Sequence, residues 1–367
     1  LKAYREQEKK DAVAQGLMTD PDKAVALADA ITLVGQCQDM CSEYEMTLRV
    51  NRNEVFPEER VNGDANGEPD ESRFVKAFKR SEAGAEVQLP SDLRPPGSLK
   101  RTCDYLFNEI IGTSSFLGKV HHFVWDRTRA IRNDFSIQQL TKLDDLRIAI
   151  ECYERIARFH IVSLHQLALA KKPYDKYDPQ QEREQLDRTL LSLMQYYDDT
   201  RGRLENTNEA EFRAYCVIFA ITNPVPDLED RVQTWPRQFT TDKRVQTALE
   251  VYAAACVTAY AQGPLGPKAK PVIAQQDWQK FWGLVKSRRM SYLAACVSEI
   301  FFNMVREIAL KSLVRCTRAS RKGADGSIAP NAELTLDAVA EALQYDAVED
   351  LYAFVARWGL QFQPDAD

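Results

Sequence analysis

Apolar side chains recur at intervals of three and four residues along most of this 367-residue chain, and this spacing constrains the fold more than any other feature. It is the spacing of one face of an α-helix, since an α-helix completes a turn roughly every 3.6 residues. In residues 141–170 it predicts one long amphipathic helix or a pair of helices. The members of this stripe are Leu143, Leu146, Ile150, Tyr153, Ala157, His160, Leu164 and Leu167.

Further helical patterns follow one another closely, and short stretches rich in proline, glycine or asparagine separate several of them. The patterns cover residues 180–201, 209–220, 241–260, 277–285 and 291–319. Consecutive helices with short turns predict a mainly α fold, an irregular TPR-like stack of helical repeats without a fixed period. We expect three domains: an N-terminal extended and helical segment (1–97), the helical stack (98–290) and a C-terminal module (291–367).

The segment 124–139, VWDRTRAIRNDFSIQQ, combines a helical apolar face with three arginines. Val124, Thr128, Ile131 and Phe135 form the predicted buried face. We call residues 124–139 the signature segment and expect its polar residues to brace the docking of the N-terminal part on the helical stack. Asp126 lies close enough to Arg129 to pair with it, and Trp125 can stack on the same arginine. The bracing residues are Trp125, Asp126, Arg127, Arg129 and Arg132.

Composition places the chain among ordinary globular proteins, with 44% hydrophobic and 28% charged residues. The net charge of −6 predicts neither nucleic-acid nor membrane binding. Apolar runs such as residues 251–261 fall short of the roughly 20 residues that span a bilayer. The cysteines are mostly scattered within helical patterns, which favours free thiols in a reducing, intracellular compartment. The first residue is not methionine, so we expect a fragment of a longer protein.

Residues for catalysis or metal binding do not form a recognisable constellation in the sequence. His160 lies on an apolar stripe with His165 close by, and both are better explained as core residues than as general bases. Cys37 and Cys41 lack a second pair of ligands at zinc-site spacing, so packing explains them better. We therefore expect no enzyme activity, no metal and no cofactor.

The distribution of charge along the C-terminal part is more informative than the net charge. Residues 277–325 contain ten Lys/Arg against four Asp/Glu, whereas residues 331–367 contain one Arg against eight acids. Several of these basic residues share one predicted helical face, which favours contact with phosphate groups. The simpler alternative is that this face contacts only solvent. The candidate nucleic-acid-binding residues are Lys311, Arg315, Arg318, Arg321 and Lys322, with Lys286, Arg288 and Arg289 as an extension.

The end of the chain has the element order of a winged helix that lacks its last strand. Thr335 is the predicted N-cap of a helix that ends at Leu343, and a second helix covers residues 348–358. Residues 360–363 (LQFQ) alternate as a strand. Because the two helices are acidic, we expect them to bind a protein partner and not the DNA major groove. The candidate partner-binding residues are Tyr345, Tyr352, Trp358, Leu360 and Phe362.

The signature segment resembles the central motif of the GANP/Sac family of mRNA-export scaffolds. Residues 35–45 (GQCQDMCSEYE), 89–106 (LPSDLRPPGSLKRTCDYL), 158–161 (RFHI) and 291–313 agree with the same family in order and spacing. The resemblance runs from about residue 35 to residue 363. One departure is that SEYEM follows Cys41, where the family often has proline and a basic pair.

The resemblance implies a PCI-like domain, in which irregular helical repeats are capped by a winged helix. It also implies a PCI-domain partner, a small acidic DSS-type protein and a DEAD-box RNA helicase. The implied assembly is transcription-export complex 2, which acts in the nucleus at the nuclear pore, with pore association through regions outside this chain. Paired winged helices would present a basic surface to RNA or DNA without reading sequence. The alternative is a PCI-type structural subunit of the proteasome lid or of a translation initiation complex, with no nucleic-acid role.

Overall fold

The computed structural model describes residues 2–23, 25–26, 29–79, 87–168, 176–221, 228–259, 277–316, 334–360 and 362. These residues contain fifteen α-helices and no β-strand, which confirms the predicted mainly α helical stack. The chain divides into two compact units, residues 1–206 (unit 1) and residues 207–367 (unit 2). The division falls inside the region predicted as a single helical stack, and the three expected domains stay a prediction.

Unit 1 contains the first six helices. They are α1 (Lys2–Ala14), α2 (Glu43–Asn51), α3 (Pro96–Asp104), α4 (Leu117–Ile137), α5 (Leu143–Ala168) and α6 (Pro179–Asp199). A π-helical segment, Tyr105–Ile111, extends α3. Helix α5 packs against α3, α4 and α6. The predicted long stripe is one continuous helix, because its apolar side chains from Leu146 to Leu167 are buried against these neighbours.

The signature segment lies in α4, and its predicted apolar face is buried. Val124, Thr128 and Ile131 are fully buried and Phe135 is 1% exposed. Between α1 and α3 the chain is mostly irregular, with α2 and four short 3-10 turns at Pro57–Glu59, Val61–Gly63, Glu71–Arg73 and Pro90–Asp92. This irregular chain needs partners for its polar groups, and α4 supplies several of them.

Asp134 of α4 is the first of two buried carboxylates that fasten the irregular N-terminal chain to the helices. Its Oδ1 lies 2.6 Å from Lys76 Nζ and its Oδ2 lies 2.8 Å from Arg94 Nε. Lys76 also donates to the backbone carbonyl of Asp92 at 2.8 Å. Because all three charged side chains are buried, each depends on the others to compensate its lost hydration.

Glu59 is the second such carboxylate, and it pairs with an arginine from each side of the junction. Arg127 of α4 donates from Nη2 to Glu59 Oε1 at 3.1 Å, and Arg49 of α2 pairs with Oε2. Arg49 also donates to the carbonyl of Val75 at 3.2 Å. Glu59 is fully buried, so its charge fixes the positions of both guanidinium groups.

Gly35 shows how closely the N-terminal chain approaches the helices. Its N–H donates to Gln138 Oε1 at 2.9 Å, and Gln138 Nε2 donates to the carbonyl of Arg94 at 2.8 Å. A Cβ atom at Gly35 would lie only 2.7 Å from the carbonyl oxygen of Leu93. The close approach therefore requires glycine at this position.

A buried carboxylate of α6, Glu182, is held between two histidines. Its Oε1 lies 2.7 Å from His160 Nδ1 and its Oε2 lies 3.0 Å from His121 Nε2. Burial lowers the pKa of His160 and favours the neutral ring. Burial opposes ionisation of Glu182, but the two histidines outweigh it and lower the pKa of this carboxyl. His160 is thus a hydrogen-bonded core residue.

Unit 2 contains the other nine helices of the described residues. They are α7 (Glu209–Phe219), α8 (Leu228–Thr234), α9 (Arg237–Thr240), α10 (Lys243–Ala259), α11 (Trp278–Val285), α12 (Tyr292–Glu299), α13 (Phe302–Cys316), α14 (Leu336–Leu343) and α15 (Val348–Ala356). Helix α10 packs against α7, α11 and α13, and α14 packs against α13. Helix α14 is thus attached to the stack of unit 2 through α13.

The predicted helix 291–319 is interrupted in the structure, where α12 ends at Glu299 and α13 begins at Phe302. The Phe301 N–H donates to the carbonyl of Ser298 at 3.0 Å, a tighter turn than an α-helix makes. Phe301 is 2% exposed, so the break allows its ring to enter the core. Periodicity could not predict this break because apolar residues continue through it.

The C-terminal helices agree closely with the sequence prediction. Thr335 caps α14 by accepting a hydrogen bond from Ala338 N at 3.3 Å. Of the predicted strand 360–363, Leu360 and Phe362 are described and belong to no strand, whereas residues 361 and 363 lie outside the described part of the chain. The winged helix stays a prediction.

Replacing Asp134 by Asn should destabilise unit 1 by about 3–5 kcal/mol, because Lys76 and Arg94 would keep buried charges without their carboxylate. Hydrogen exchange of the slowest amides in α4 measures this loss. Asp144→Asn is the matched control: Asp144 pairs with Arg147 at an exposed site and should contribute less than about 1 kcal/mol. Equal effects of the two substitutions would contradict the account of Asp134.

The stability of unit 1 should fall as the pH decreases below about 6.5, because unfolded His160 then binds a proton that the native ring does not. His160 should contribute at most about 1.4 kcal/mol per pH unit, and His160→Gln should reduce the slope by that contribution. The half-buried His122, whose pKa burial also lowers, keeps its own contribution in the variant. Hydrogen exchange between pH 7 and pH 5 measures how the free energy of unfolding changes with pH. This pH range lies above the range in which protonation of Glu182 contributes. An unchanged slope in the variant would show that His160 is not buried as a neutral ring.

Candidate interaction surfaces

The polar residues of the signature segment make their described contacts inside unit 1. Asp126 accepts a hydrogen bond from Phe78 N at 3.1 Å and pairs with Arg127 at 2.5 Å. The guanidinium carbon of Arg127 lies 4.7 Å from the ring centroid of Phe123, and Arg127 is fully buried. Its charge is therefore held between Glu59 and aromatic rings and is not presented to solvent.

Arg129 joins the signature segment to the N-terminal chain by stacking. Its guanidinium carbon lies 4.0 Å from the ring centroid of Phe78 and 4.5 Å from that of Trp125. Such cation–π contacts contribute on the order of 1 kcal/mol when partly desolvated. Arg132 donates from Nη2 to Gln185 Oε1 at 2.5 Å, and desolvation lowers its pKa to about 10. The five bracing residues thus connect α4 with α6 and with the N-terminal chain.

Three of the candidate nucleic-acid-binding residues lie in the turn between α11 and α12. Lys286, Arg288 and Arg289 are all exposed. Arg289 forms a bidentate pair with Glu250 of α10, with Nη1–Oε2 and Nη2–Oε1 distances of 3.0 Å and 2.7 Å. No described carboxylate forms an ion pair with Lys286 or Arg288. These two residues keep more of their charge available for an external phosphate than Arg289 does.

Only part of the predicted basic face at residues 311–322 can be placed. Lys311 lies on α13, pairs with Glu307 and has its Nζ 4.8 Å from the ring centroid of Trp358. Arg315 belongs to α13, but its side chain is outside the described atoms. Arg318, Arg321 and Lys322 lie outside the described residues. The contact of Lys311 with Trp358 brings the predicted basic face next to the predicted partner surface.

The candidate partner-binding residues are either exposed or half-buried. Tyr352 is 47% exposed and Trp358 is 43% exposed, and the rings of Tyr352 and Phe362 meet edge to face with centroids 6.0 Å apart. Leu360 is half-buried. The half-buried Tyr345 packs against Arg306, with its ring centroid 3.8 Å from the guanidinium carbon. We call the exposed Tyr352 and Trp358, together with the half-buried Phe362 that contacts Tyr352, the exposed aromatic cluster.

The sequence does not single out Arg306, although this residue of α13 fixes the end of α14. It donates from Nε to the carbonyl of Leu343 at 2.9 Å and from Nη2 to that of Gln344 at 2.7 Å. These are carbonyls at the end of α14, where Gln344 has a left-handed φ of 57°. Sequence carries no signal for this role, because the acceptors are backbone atoms 37 and 38 residues away.

Cys37 and Cys41 have the surroundings of packed thiols. Cys41 is 1% exposed, and Cys37 Sγ donates to the carbonyl of Asp39 at 3.4 Å. Burial raises the pKa of both thiols, which disfavours the thiolate that a metal requires. The described residues contain no group of three or more potential metal ligands. None of the described helices is both long and apolar enough to cross a membrane.

The chain is similar to known proteins over most of its length. The sequence model of the SAC3/GANP family matches residues 40–364. The chain is 36% identical to SAC3 family protein 1 of Schizosaccharomyces pombe over its whole length, covering 34% of that protein. It is 30% identical to Protein xmas of Drosophila melanogaster over 89% of the chain and 14% of that protein. It is also 30% identical to SAC3 family protein B of Arabidopsis thaliana over 77% of the chain and 16% of that protein.

The chain thus spans about a third or less of the length of these curated relatives. The family match includes the signature segment, the π-helical segment and the C-terminal helices, so it covers both units. This chain belongs to the SAC3/GANP family.

Proposed function

We propose that this chain is the helical core of a scaffold that couples transcription to nuclear mRNA export, within transcription-export complex 2. The observation that carries the proposal is the family match over residues 40–364, which extends far beyond a single motif. The scaffold acts through binding and not through catalysis. Its place of action is the nucleus, at the nuclear pore.

The partner surface of this scaffold is assigned to the C-terminal helices. The exposed aromatic cluster offers the large side chains that dominate many protein interfaces. Helices α14 and α15 also present exposed acids, among them Asp337, Glu341, Glu349 and Asp350. In the proposal this surface binds a PCI-domain protein, a small acidic DSS-type protein completes the complex, and a DEAD-box RNA helicase associates with it.

Nucleic acid is assigned to the basic residues of unit 2, and the contact is to phosphates without sequence readout. The exposed Lys286 and Arg288 support this assignment because no described carboxylate pairs with them. Lys311, Arg315, Arg318, Arg321 and Lys322 complete the set. The bidentate pair of Arg289 with Glu250 makes Arg289 the weakest candidate.

Replacing Arg315 and Arg318 together by Glu should weaken binding of RNA or DNA and flatten its salt dependence. For every phosphate that the variant no longer neutralises, the slope of log K against log salt should decrease by about 0.7–0.9. Fluorescence anisotropy with single-stranded RNA and duplex DNA at several salt concentrations measures both effects on the assembled complex. Arg147→Glu with Arg201→Glu, two exposed positions in unit 1, is the matched control. If the variant with Glu at positions 315 and 318 bound RNA and DNA with unchanged affinity, the assignment of nucleic-acid binding to these residues would be wrong.

Replacing Tyr352 and Trp358 together by Ser should release the PCI-domain partner, because the change removes aromatic anchors from an exposed surface. Affinity purification of the tagged protein from nuclear extract, with quantitative mass spectrometry, should show at least about tenfold less partner, or about 1.4 kcal/mol. Tyr292→Ser, at a tyrosine of α12 that is 64% exposed, is the control and should retain it. Recovery of proteasome-lid or translation-factor subunits with the unaltered protein would instead support the alternative assembly.

A further inference from the structure

A further surface, separate from the basic and aromatic candidates of unit 2, lies in unit 1. It is a groove of about 550 Å³ between α5, the π-helical segment and the start of α4. Its volume is within the range of roughly 300–1,000 Å³ typical of binding sites. We call it the α5 groove. Its apolar wall is formed by Phe107, Ile111, Phe116, Leu117, Phe159 and Val162.

The apolar wall is firmly held at its base and exposed at its edge. Phe159 is 6% exposed and its ring centroid lies 5.9 Å from that of Phe107. Phe116, in the turn before α4, is 36% exposed. A rigid base with an exposed aromatic edge can receive an apolar side chain without rearranging the core.

Two arginines of α5 supply the charge of the groove. Arg155 and Arg158 line it together with the neutral polar residues Asn108, Ser114, Ser115 and Gln166, and no carboxylate is among its lining residues in the described chain. Arg155 pairs with Asp104 and has its guanidinium carbon 5.1 Å from the Phe107 ring centroid. Arg158 lies 3.8 Å from Glu154, and its side chain is 31% exposed. A guanidinium group carries five N–H donors, enough to serve an internal and an external carboxylate together.

We propose that the α5 groove binds a short acidic segment of a partner protein. An aromatic or aliphatic side chain of that segment inserts between Phe107, Phe116 and Phe159. A carboxylate beside it accepts hydrogen bonds from Arg158 and Arg155, which is the geometry that guanidinium groups favour.

The groove fits such a peptide better than it fits nucleic acid. Binding of single strands depends on several cations that follow the backbone and on flat aromatic platforms for the bases. Among the described residues, two cations line the groove, each with a carboxylate neighbour. Half of the apolar wall is aliphatic: Ile111, Leu117 and Val162. A peptide with one carboxylate and one apolar anchor matches the groove: the carboxylate matches the arginines in charge, and the anchor matches the apolar wall in shape.

The inference does not rest on the proposed function, because its residues are in unit 1 and those of the proposed function are in unit 2. Substitutions in one unit therefore test one assignment without touching the residues of the other.

The test is selection of a phage-displayed library of random twelve-residue peptides on the folded chain. Enriched peptides are then synthesised and titrated by fluorescence anisotropy. We expect them to carry Asp or Glu close to a Phe, Leu or Ile. Phe116→Ser and Arg158→Glu should each weaken binding by at least about fivefold. Leu191→Ser on α6 and Arg147→Glu on α5, both at exposed side chains, are the matched controls and should change it less than about twofold.

A charge exchange makes the test independent of small losses in folding. A peptide whose acids are replaced by Lys should bind the Arg158→Glu variant better than it binds the unaltered chain. The proposal is overturned if no enriched peptide binds more tightly than about 1 mM. It is also overturned if the binding peptides lack acids, or if the controls weaken binding as much as the groove variants. Binding of a labelled twelve-nucleotide oligouridylate that Phe116→Ser abolishes would assign the groove to nucleic acid instead.

Discussion

Two buried carboxylates, Asp134 and Glu59, hold unit 1 together. Each is shared by two cations that come from different parts of the chain, Lys76 with Arg94 and Arg49 with Arg127. A buried ion pair contributes little net stability compared with an apolar contact, but loss of one partner is costly. The pairs therefore act mainly by specifying one position for the irregular N-terminal chain on α4. That chain has little regular secondary structure of its own, so α4 must fix its course.

This constraint separates the residues that identify the family from those that can meet a partner. The signature segment is the most recognisable part of the sequence, yet Arg127 and Asp134 are fully buried. The exposed candidates are elsewhere: the aromatic cluster and basic turn of unit 2, and the α5 groove of unit 1. Arg306 has the corresponding structural role in unit 2, since it joins the end of α14 to α13.

The sequence predicts what depends on local spacing and misses what depends on distant contacts. The extents of α5, α6 and α10 follow from helical periodicity, because burial of one face is a local pattern. The pairing of Glu59 with Arg127 joins residues 68 positions apart, so no local pattern indicates it. The break at Phe301 is similarly hidden, because apolar residues continue through it. The α5 groove combines residues of three elements that only the packing of unit 1 brings together.

The most direct measurement of the central claim is hydrogen exchange combined with nucleic-acid binding in an Arg127→Met variant. Methionine retains much of the apolar volume of the arginine side chain. It removes the positive charge that Arg127 places beside the Glu59 carboxylate. If Arg127 is internal bracing, exchange should accelerate in Glu43–Asn51 and in residues 73–79, whereas exchange in unit 2 and the affinity for nucleic acid should be unchanged. Unaltered exchange throughout unit 1 together with abolished nucleic-acid binding would show that the signature segment is itself the working surface, and would contradict the account.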